Sequence, residues 1–461
     1  MEKILKWNPE FAKNIWLEFS LQRLIALPAI VLLIVFAVFS QTNDIDEGMK
    51  SLHYVSMAGF IIIGLLWGIK TSSDAILDEY NDKTWDWQKM SLIGPWKLTI
   101  GKLFGSTIYN WYGALICWIL FMISGGYMST WEMEFKTGIL MIISMIATHG
   151  LMILISVQMV KKADGRTKLK SNRIFIAGII FLGFVGNIFS VALTESVSNS
   201  NNISWYGLND NIQNLIILSS VFYTMWIVAG VYRSMRAELQ FSDAPTWWIL
   251  FIVSNTIFQF GLIATNPEMN FAFKLATGFG FMFVQTLFIT YILALTEPKD
   301  IVNFKLLIQS FQNKDFNLLF QNISLWTLTL QMVFIAGFLA VLFCSIGIQI
   351  SSNIDILDKI KELNPNYLFI YLIAIFGFII RDMGMLLYLN LSRTAKRADA
   401  AMIIYLIILY GLLPLLTMGS GIGVMFYPDF KANIIAMVAF PLIEAGVVIY
   451  LLKNRWSELH S

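Results

Sequence analysis

Runs of about 20 mostly apolar residues, separated by polar segments, recur along the whole chain. A helix needs about 20 apolar residues to cross the roughly 30 Å hydrocarbon core of a bilayer, so each run predicts one membrane crossing. The composition agrees, because 57% of the residues are hydrophobic and 13% are charged, against about 25% charged in soluble domains. The sequence therefore predicts an integral membrane protein.

We count twelve predicted crossings. They cover residues 24–40, 51–69, 103–124, 137–160, 174–193, 211–232, 246–264, 271–295, 324–347, 367–390, 400–424 and 432–452. Runs this long without alternation favour helices over a barrel, because backbone in the hydrocarbon must satisfy its own hydrogen bonds. The predicted fold class is all-α, a polytopic membrane protein with about twelve transmembrane helices.

The Lys and Arg residues fall mainly on one side of this topology. With the N-terminus in the cytoplasm, 25 of the 32 Lys and Arg residues lie in cytoplasmic segments and five lie outside. Cytoplasmic loops retain positive charge, so we expect both termini in the cytoplasm. Topology explains the basic residues, and no nucleic-acid partner is predicted. Frequent Lys, Ile and Asn and the lack of a eukaryotic targeting signal indicate a bacterial inner (plasma) membrane.

The crossings divide into two predicted halves of six, residues 1–243 and 244–461. A long cytoplasmic loop follows the second crossing of each half, at 70–102 and at 296–323. Basic segments, at 161–170 and 393–400, follow the fourth crossing of each half. Because six is even, both halves enter from the cytoplasm, which predicts a parallel repeat.

The segment before the first crossing predicts an N-terminal interfacial helix. Phe11, Ile15 and Phe19 recur at i, i+4 and i+8, with Lys13 and Glu18 elsewhere around the helix. A helix with this pattern lies in the membrane interface. An anchor without a mechanistic role fits the pattern equally well.

The sequence offers little for catalysis. No P-loop of the form G-x-x-x-x-G-K-[ST] occurs, and the HExxH, GxSxG and Cys-rich metal signatures are also missing. The three His residues are scattered, and both Cys residues lie within predicted crossings. We therefore predict no catalytic residue and no metal site, and any energy source must come from another protein.

The first long loop has the side chains that a docking helix needs. Such a helix uses bulky groups to fill a cleft on its partner and charges to set the register. The bulky and charged residues are Glu79, Asp82, Trp85, Asp86, Trp87, Lys89, Met90, Leu92 and Trp96. Gly94-Pro95 ends the helix, and Gly101-Lys102 leads into the third crossing. Interfacial belt residues are the alternative for the tryptophans, but a belt does not require the acidic cluster.

This loop resembles the first cytoplasmic loop of ATP-binding-cassette export permeases of the second class. The resemblance is carried by Glu79, Thr84, Asp86, Gly94, Trp96, Gly101 and Lys102. It implies a separate ATPase subunit, in two copies, that holds ATP and Mg and docks on the loop, with no cofactor on this chain. The docking residues implied are Glu79, Trp85, Asp86, Trp87, Trp96 and Lys102. The predicted interfacial helix before the first crossing also resembles the elbow helix with which permeases of that family begin.

The loop of the second half departs from the family pattern. It lacks a Trp before the next crossing and the closing Gly-Lys pair, although Phe304, Leu307, Ile308 and Phe311 recur at helical spacing. We expect a helix there that could also dock, and the sequence leaves open whether the two halves contact the ATPase equally.

Polar side chains inside the predicted crossings are the place to look for a substrate path. The candidates are His149, Asn255, Arg381, Asp382 and Glu444. In the competing interpretation, His149 and Asn255 make interhelical hydrogen bonds, and Arg381 forms a structural ion pair with Asp382 or Glu444.

The resemblance predicts a permease subunit of an ATP-driven exporter. The alternative is a twelve-helix secondary transporter driven by an ion gradient, which is disfavoured because no series of carboxylates crosses the membrane. A membrane-embedded glycan polymerase would need a large external loop, and the longest here is about 15 to 20 residues. The sequence does not identify the substrate.

Overall fold

The computed structural model describes most of the chain. The described residues are 7–128, 130–161, 163, 168–171, 174–176, 178, 179, 182, 202–241, 245–265, 269–297, 299, 301–350, 365–391, 398–417, 425, 426 and 433–458. Within this part, eleven helices are long and apolar enough to cross a membrane. The predicted all-α polytopic fold is confirmed. The predicted crossing at 174–193 lies mostly outside the described residues, so the count of twelve stays a prediction.

The chain divides into two compact units. Unit 1 comprises Met1–Ile203 and Asn209–Asp243, and unit 2 comprises Ser204–Leu208 and Ala244–Ser461. The six-crossing content of each predicted half and the parallel repeat stay predictions.

Unit 1 contains eight of the described helices. They are α1 (Pro9–Glu18), α2 (Leu21–Ser40), α3 (Ile45–Asn81), α4 (Trp85–Met90), α5 (Pro95–Ile100), α6 (Ile108–Gly125), α7 (Trp131–Lys161) and α8 (Ile212–Glu238). A π-helical turn, Ile61–Trp67, interrupts α3, and a second one, Gly101–Gly105, follows α5. The core lies where α3, α7 and α8 meet, around Ile69, Ile76, Met152, Val157 and Val231.

Unit 2 contains the other eight described helices. They are α9 (Thr246–Ala264), α10 (Phe271–Thr296), α11 (Ile301–Gln312), α12 (Phe316–Asn322), α13 (Leu325–Ile350), α14 (Pro365–Asn390), α15 (Ala398–Leu416) and α16 (Ile434–Glu458). The helix α11 includes Phe304, Leu307, Ile308 and Phe311, as their spacing predicts. The helix α10 packs on α13, and α14 packs on α16. A π-helical turn, Ile408–Leu412, lies within α15.

A short β-hairpin, which the sequence analysis did not predict, precedes α8. Its strands are β1 (Asn202–Trp205) and β2 (Leu208–Asn211). Both turn residues have positive φ, +50° at Tyr206 and +84° at Gly207, as a type I′ turn requires. Within unit 2, the Trp205 indole N–H donates to the Phe258 carbonyl at 3.0 Å, and the Tyr206 hydroxyl donates to the Ile257 carbonyl at 2.6 Å.

The helix α3 is longer than predicted. We placed the end of the crossing at residue 69 and the start of the loop at Lys70, but the helix continues to Asn81. Its 37 residues span about 55 Å at 1.5 Å per residue, which exceeds the roughly 30 Å of the hydrocarbon core. Ile76 and Leu77 are fully buried and hold the polar end of α3 in the core of unit 1. Glu79 therefore lies on a helix and not in a loop.

Candidate functional site

The predicted docking loop is a compact segment, which we call the loop platform and define as α4, α5 and residues 91–94 between them. A tight turn ends α3 before it, because Lys83 has a φ of +61° and the Thr84 N–H donates to the Glu79 carbonyl at 2.8 Å. Pro95 is then the first residue of α5, where its fixed φ and missing N–H favour helix initiation. The loop platform is thus two short helices joined by a turn.

The outer face of the loop platform exposes large apolar side chains. The exposed fraction is 73% for Trp87, 69% for Met90 and 53% for Trp96, and Leu92 is fully exposed. The Asp86 side chain lies beside them and is 76% exposed. Exposed apolar side chains of this size mark sites of contact with a protein or with a membrane.

Trp85 lies on the opposite face of α4 and is only 2% exposed. Its indole N–H donates to Glu238 Oε2 of α8 at 3.2 Å, and Lys102 Nζ lies 5.9 Å from the centre of its ring. Lys89 bridges the same carboxylate, at 3.7 Å, to Asp86, at 2.8 Å. Trp85 therefore fastens α4 to the body of unit 1.

Lys102 is also buried, at 2% exposure, and it lies at the centre of a group that we call the ion cluster: Glu10, Lys13, Glu79 and Lys102. Lys102 Nζ lies 2.9 Å from Glu10 Oε1 and also contacts Glu79 Oε2. Lys13 Nζ lies 3.1 Å from Glu10 Oε1 and 3.0 Å from Glu79 Oε1. Two cations and two anions balance each other, which compensates for the burial of the charges.

The pKa values in the ion cluster reflect this pairing. Burial by itself would raise the pKa of Glu10, but the ammonium groups of Lys102 and Lys13 outweigh burial and bring it below its ordinary value. Burial by itself would lower the pKa of Lys13, but the carboxylates of Glu10 and Glu79 outweigh burial and raise it. Both groups are therefore held in their charged forms.

The ion cluster forms because α1 approaches the π-helical turn at Gly101–Gly105 very closely. A Cβ atom at Gly101 would lie 2.6 Å from Glu10 Cγ, and one at Gly105 would lie 3.0 Å from Asn14 Nδ2. Asn14 Nδ2 also donates to the Gly101 carbonyl at 3.2 Å. The face of α1 that packs against unit 1 is thus partly polar, with Glu10 and Ala12 buried. The predicted apolar residues Phe11, Ile15 and Phe19 are only half-buried.

In unit 2, three of the predicted path residues form one buried network. Arg381 Nε donates to Asp382 Oδ1 at 3.0 Å, and Arg381 Nη1 donates to Glu444 Oε2 at 2.6 Å. The hydroxyls of Tyr291 and Tyr410 both donate to Asp382 Oδ2 at 2.7 Å, and Arg381 Nη2 lies 2.9 Å from the Tyr410 hydroxyl. The network joins α10, α14, α15 and α16. Arg381 and Asp382 are buried, whereas the Glu444 side chain is 31% exposed.

Of the other two predicted path residues, one lies in each unit. His149 belongs to unit 1 and is fully buried, with Nε2 lying 2.9 Å from the Gly64 carbonyl in the π-helical turn of α3. It fits there because residue 68 is a glycine, where a Cβ atom would lie 2.1 Å from His149 Nε2. Asn255 is buried on α9 of unit 2. The five residues therefore do not form one site within either unit.

Sequence reasoning missed several residues of these sites. The sequence analysis singles out neither Glu10 and Glu238 nor Tyr291 and Tyr410, and it places Lys13 only as a charged residue around the interfacial helix. Among the residues that the structure describes, no group of three or more His, Cys, Asp and Glu residues could hold a metal ion.

Comparisons with protein-family models, curated proteins and solved structures find no match to this chain. The fold therefore defines the protein by class, as a multi-pass α-helical membrane protein.

Proposed function

We propose that the chain is the permease subunit of an ATP-driven exporter and that a separate ATPase subunit, in two copies, docks on the loop platform. The observation that supports this most is the exposure of Trp87, Met90, Leu92 and Trp96 on a segment whose inner face is fixed by Trp85 and the ion cluster. In this proposal the ATPase holds ATP and Mg, and this chain holds neither. Export, as the direction of transport, follows from the resemblance of the loop.

The position of the loop platform favours a protein partner over a lipid belt. The helix α3 continues for 12 residues beyond residue 69, which carries its end about 18 Å from the end of the predicted crossing. Belt tryptophans lie where the hydrocarbon meets the headgroups, and Trp87 lies on α4, which begins after the end of this extension. A protein cleft with apolar walls and a cation near Asp86 would complement it.

The six predicted docking residues take different roles in this proposal. Asp86, Trp87 and Trp96 contact the ATPase directly. Trp85, Glu79 and Lys102 position the loop platform, because they are tied to α8 and α1 inside unit 1. A push on the outer face is then transmitted to the helices through buried ion pairs and a buried indole, which cannot yield without breaking them.

Co-purification tests the docking surface. The tagged chain is extracted from host membranes in mild detergent, and the amount of a co-purifying P-loop ATPase is measured. Truncating a Trp anchor typically costs about 2 kcal/mol of binding free energy or more, which is roughly a 30-fold loss of affinity. We therefore expect Trp87→Ala with Leu92→Ala to lose the ATPase.

Trp16→Ala is the matched control, because Trp16 is 71% exposed but lies on α1, outside the loop platform. It should retain the ATPase. Full retention of the ATPase by the Trp87→Ala, Leu92→Ala variant would contradict the proposed docking surface. A wild-type chain that co-purifies with no ATPase would contradict the proposed function.

A second candidate function is transport driven by an ion gradient, and the network in unit 2 favours it. Two carboxylates, Asp382 and Glu444, share one guanidinium there, and Glu444 lies near the middle of the apolar part of α16. Acidic groups at such depth mark ion paths in carriers. Proteoliposomes separate the two candidates, because the exporter needs the ATPase and ATP, whereas the carrier moves its substrate with a gradient alone.

We further propose that the protein lies in the inner membrane of a bacterium, with both termini and the loop platform in the cytoplasm. The bias of Lys and Arg towards one side supports this orientation. Single cysteines at positions 83 and 127, in a variant without Cys117 and Cys344, should react with a membrane-impermeant maleimide from opposite sides. Equal labelling of both from outside intact cells would contradict the orientation.

A further inference from the structure

An apolar groove lies in unit 1 between α2, α3 and α6. Its volume is 230 Å³. Apart from Ser56, Trp67 and Tyr109, the described lining is apolar, and it includes Val31, Val35, Val55, Ile63, Cys117 and Leu120. Val31 lies near the middle of the predicted crossing 24–40, so the groove is at bilayer depth.

The groove exists because α2 contacts its neighbours mainly at its two ends. The hydroxyls of Tyr109 and Tyr112 on α6 donate to the carbonyls of Arg23 and Leu24, at 3.2 and 3.0 Å. At the other end, the Phe39 ring packs on Gly48 so closely that a Cβ atom there would lie 2.7 Å away. Within α2, which is described throughout, Leu27 is the one buried residue.

A proline fixes this arrangement chemically. Pro28 lies inside α2 and has no N–H, so the carbonyl of Leu24, four residues earlier, lacks its helical partner. An unsatisfied carbonyl in hydrocarbon is costly, and the Tyr112 hydroxyl satisfies it from α6. The end of α2 is thereby attached to α6 immediately before the groove begins.

The size and chemistry of the groove limit what can fill it. None of the described residues that line the groove is charged. Water needs polar partners, and apolar cavities stay dry and bind apolar guests. The volume of the groove is sufficient for a segment of an acyl chain. Acyl chains are the apolar guests that a bilayer supplies.

Polar groups lie at one end of the groove. Trp67 and Tyr109 lie at this end and pack edge to face, with their ring centres 5.7 Å apart. The next cations beyond this end are Arg23 on α2 and Lys70 on α3. The Arg23 and Lys70 side chains are 53% and 60% exposed, and each contacts one acid, Glu18 or Asp74, at 2.6 and 3.2 Å. Such a rim accommodates a phosphate, although the acids already present reduce its attraction.

We propose that the groove holds one acyl chain of a bilayer phospholipid, with the phosphate at the level of Arg23 and Lys70. The acyl tail contributes most of the binding free energy, and the headgroup contributes little. This inference does not depend on the proposed exporter function, because it concerns a site on unit 1 that is separate from the loop platform.

Photo-crosslinking tests the proposal on the full chain in nanodiscs. The probe is phosphatidylcholine with a diazirine in the middle of one acyl chain, and the labelled positions are read by peptide mass spectrometry. We expect labelling of Val31, Val55 and Cys117 to exceed that of Leu33 and Phe36 several-fold. These two residues expose 68% and 73% of their surface on the outer side of α2.

Two variants then test occupancy. Val31→Trp should fill the groove and reduce labelling of Val55 and Cys117 several-fold, whereas Leu33→Trp adds the same indole to the outer side of α2 and should leave labelling unchanged. A probe with a phosphatidylglycerol headgroup should label the groove to a similar extent, because the tail carries the fit. A marked preference for that anionic headgroup would overturn this part of the proposal.

The other outcomes are also decisive. Equal labelling of the inner and outer positions of α2 in the wild-type chain would mean that lipid contacts the helix only as bulk solvent. Protein-to-protein adducts in place of lipid adducts would mean that another polypeptide covers the groove. Either result overturns the proposal, and neither depends on whether a variant folds.

Discussion

Replacing Lys102 by Met should destabilise unit 1 strongly, because it removes one of the two cations of the ion cluster. The cluster changes from two cations and two anions to one cation and two anions, and Glu10 stays buried at 3% exposure. Removing one partner of a buried ion pair costs about 3 to 5 kcal/mol. Glu10 and Glu79 both keep their contact with Lys13, so we expect the lower end, about 3 kcal/mol.

The free energy of unfolding can be measured by titration with SDS in mixed micelles, with circular dichroism as the signal. Lys50→Met is the matched control, because Lys50 is exposed and its loss should change the free energy by no more than about 0.5 kcal/mol. A double-mutant cycle with Glu10→Gln isolates the pair. The double variant leaves Lys13 facing Glu79 alone, which is charge-balanced, so it should lose less than the sum of the single variants. Additive losses, or a Lys102→Met variant as stable as Lys50→Met, would refute the ion cluster.

Three further predictions concern other contacts and charges of unit 1. The pKa of Glu10 is lowered from its ordinary value of 4.5, so its ionised form stabilises the fold above that pH, and this stabilisation is lost as the pH falls below it. In Glu10→Gln, the free energy of unfolding should therefore depend less on pH in this range. Gly68→Ala places a methyl group 2.1 Å from His149 Nε2 and should cost about 1 to 3 kcal/mol of unfolding free energy, whereas Gly94→Ala, which meets nothing described within 4 Å, should not. Tyr112→Phe leaves the Leu24 carbonyl without a hydrogen-bond donor, because Pro28 has no N–H, and should cost about 1 to 3 kcal/mol of unfolding free energy. Tyr109→Phe should cost less in the same SDS titration, because the carbonyl that Tyr109 contacts keeps its helical N–H partner.

The crossings could be predicted from sequence because about 20 apolar residues in a row have few other uses. The end of α3 could not be predicted, because residues 70–81 are mostly polar and their mean hydropathy indicates a loop. The hydroxyls of Ser72 and Ser73 donate back to the carbonyls of Gly68 and Ile69, at 2.5 and 2.6 Å. These serines therefore need no water, and the helix continues with Ile76 and Leu77 buried.

The division of the loop platform into inner and outer residues also required the structure. Trp85 and Trp87 are two positions apart, so they point about 200° apart around a helix, but the sequence does not tell which of them faces the protein. The ion cluster depends on residues far apart in the chain, Glu10 and Lys102, which meet only because glycines at 101 and 105 let α1 approach. In unit 2, the grouping of Arg381, Asp382 and Glu444 was foreseen as one possible pairing. The reach of Tyr410 into it depends on a π-helical turn that no sequence pattern revealed.

The ion cluster and the platform together define what a docking partner would act on. If the outer face received a force, α4 could not move without breaking the bond between Trp85 and Glu238, which draws α8 with it. The residue after α5 is Gly101, so the same force would reach Lys102 and, through Glu10, the helix α1. Lys102 and Glu10 are both buried, and a buried charge left without its partner is costly, so we expect α1, α4 and α8 to move as one body. A partner on the loop platform would therefore displace a crossing and the predicted interfacial helix together, and a flexible loop at this position could not transmit such a movement.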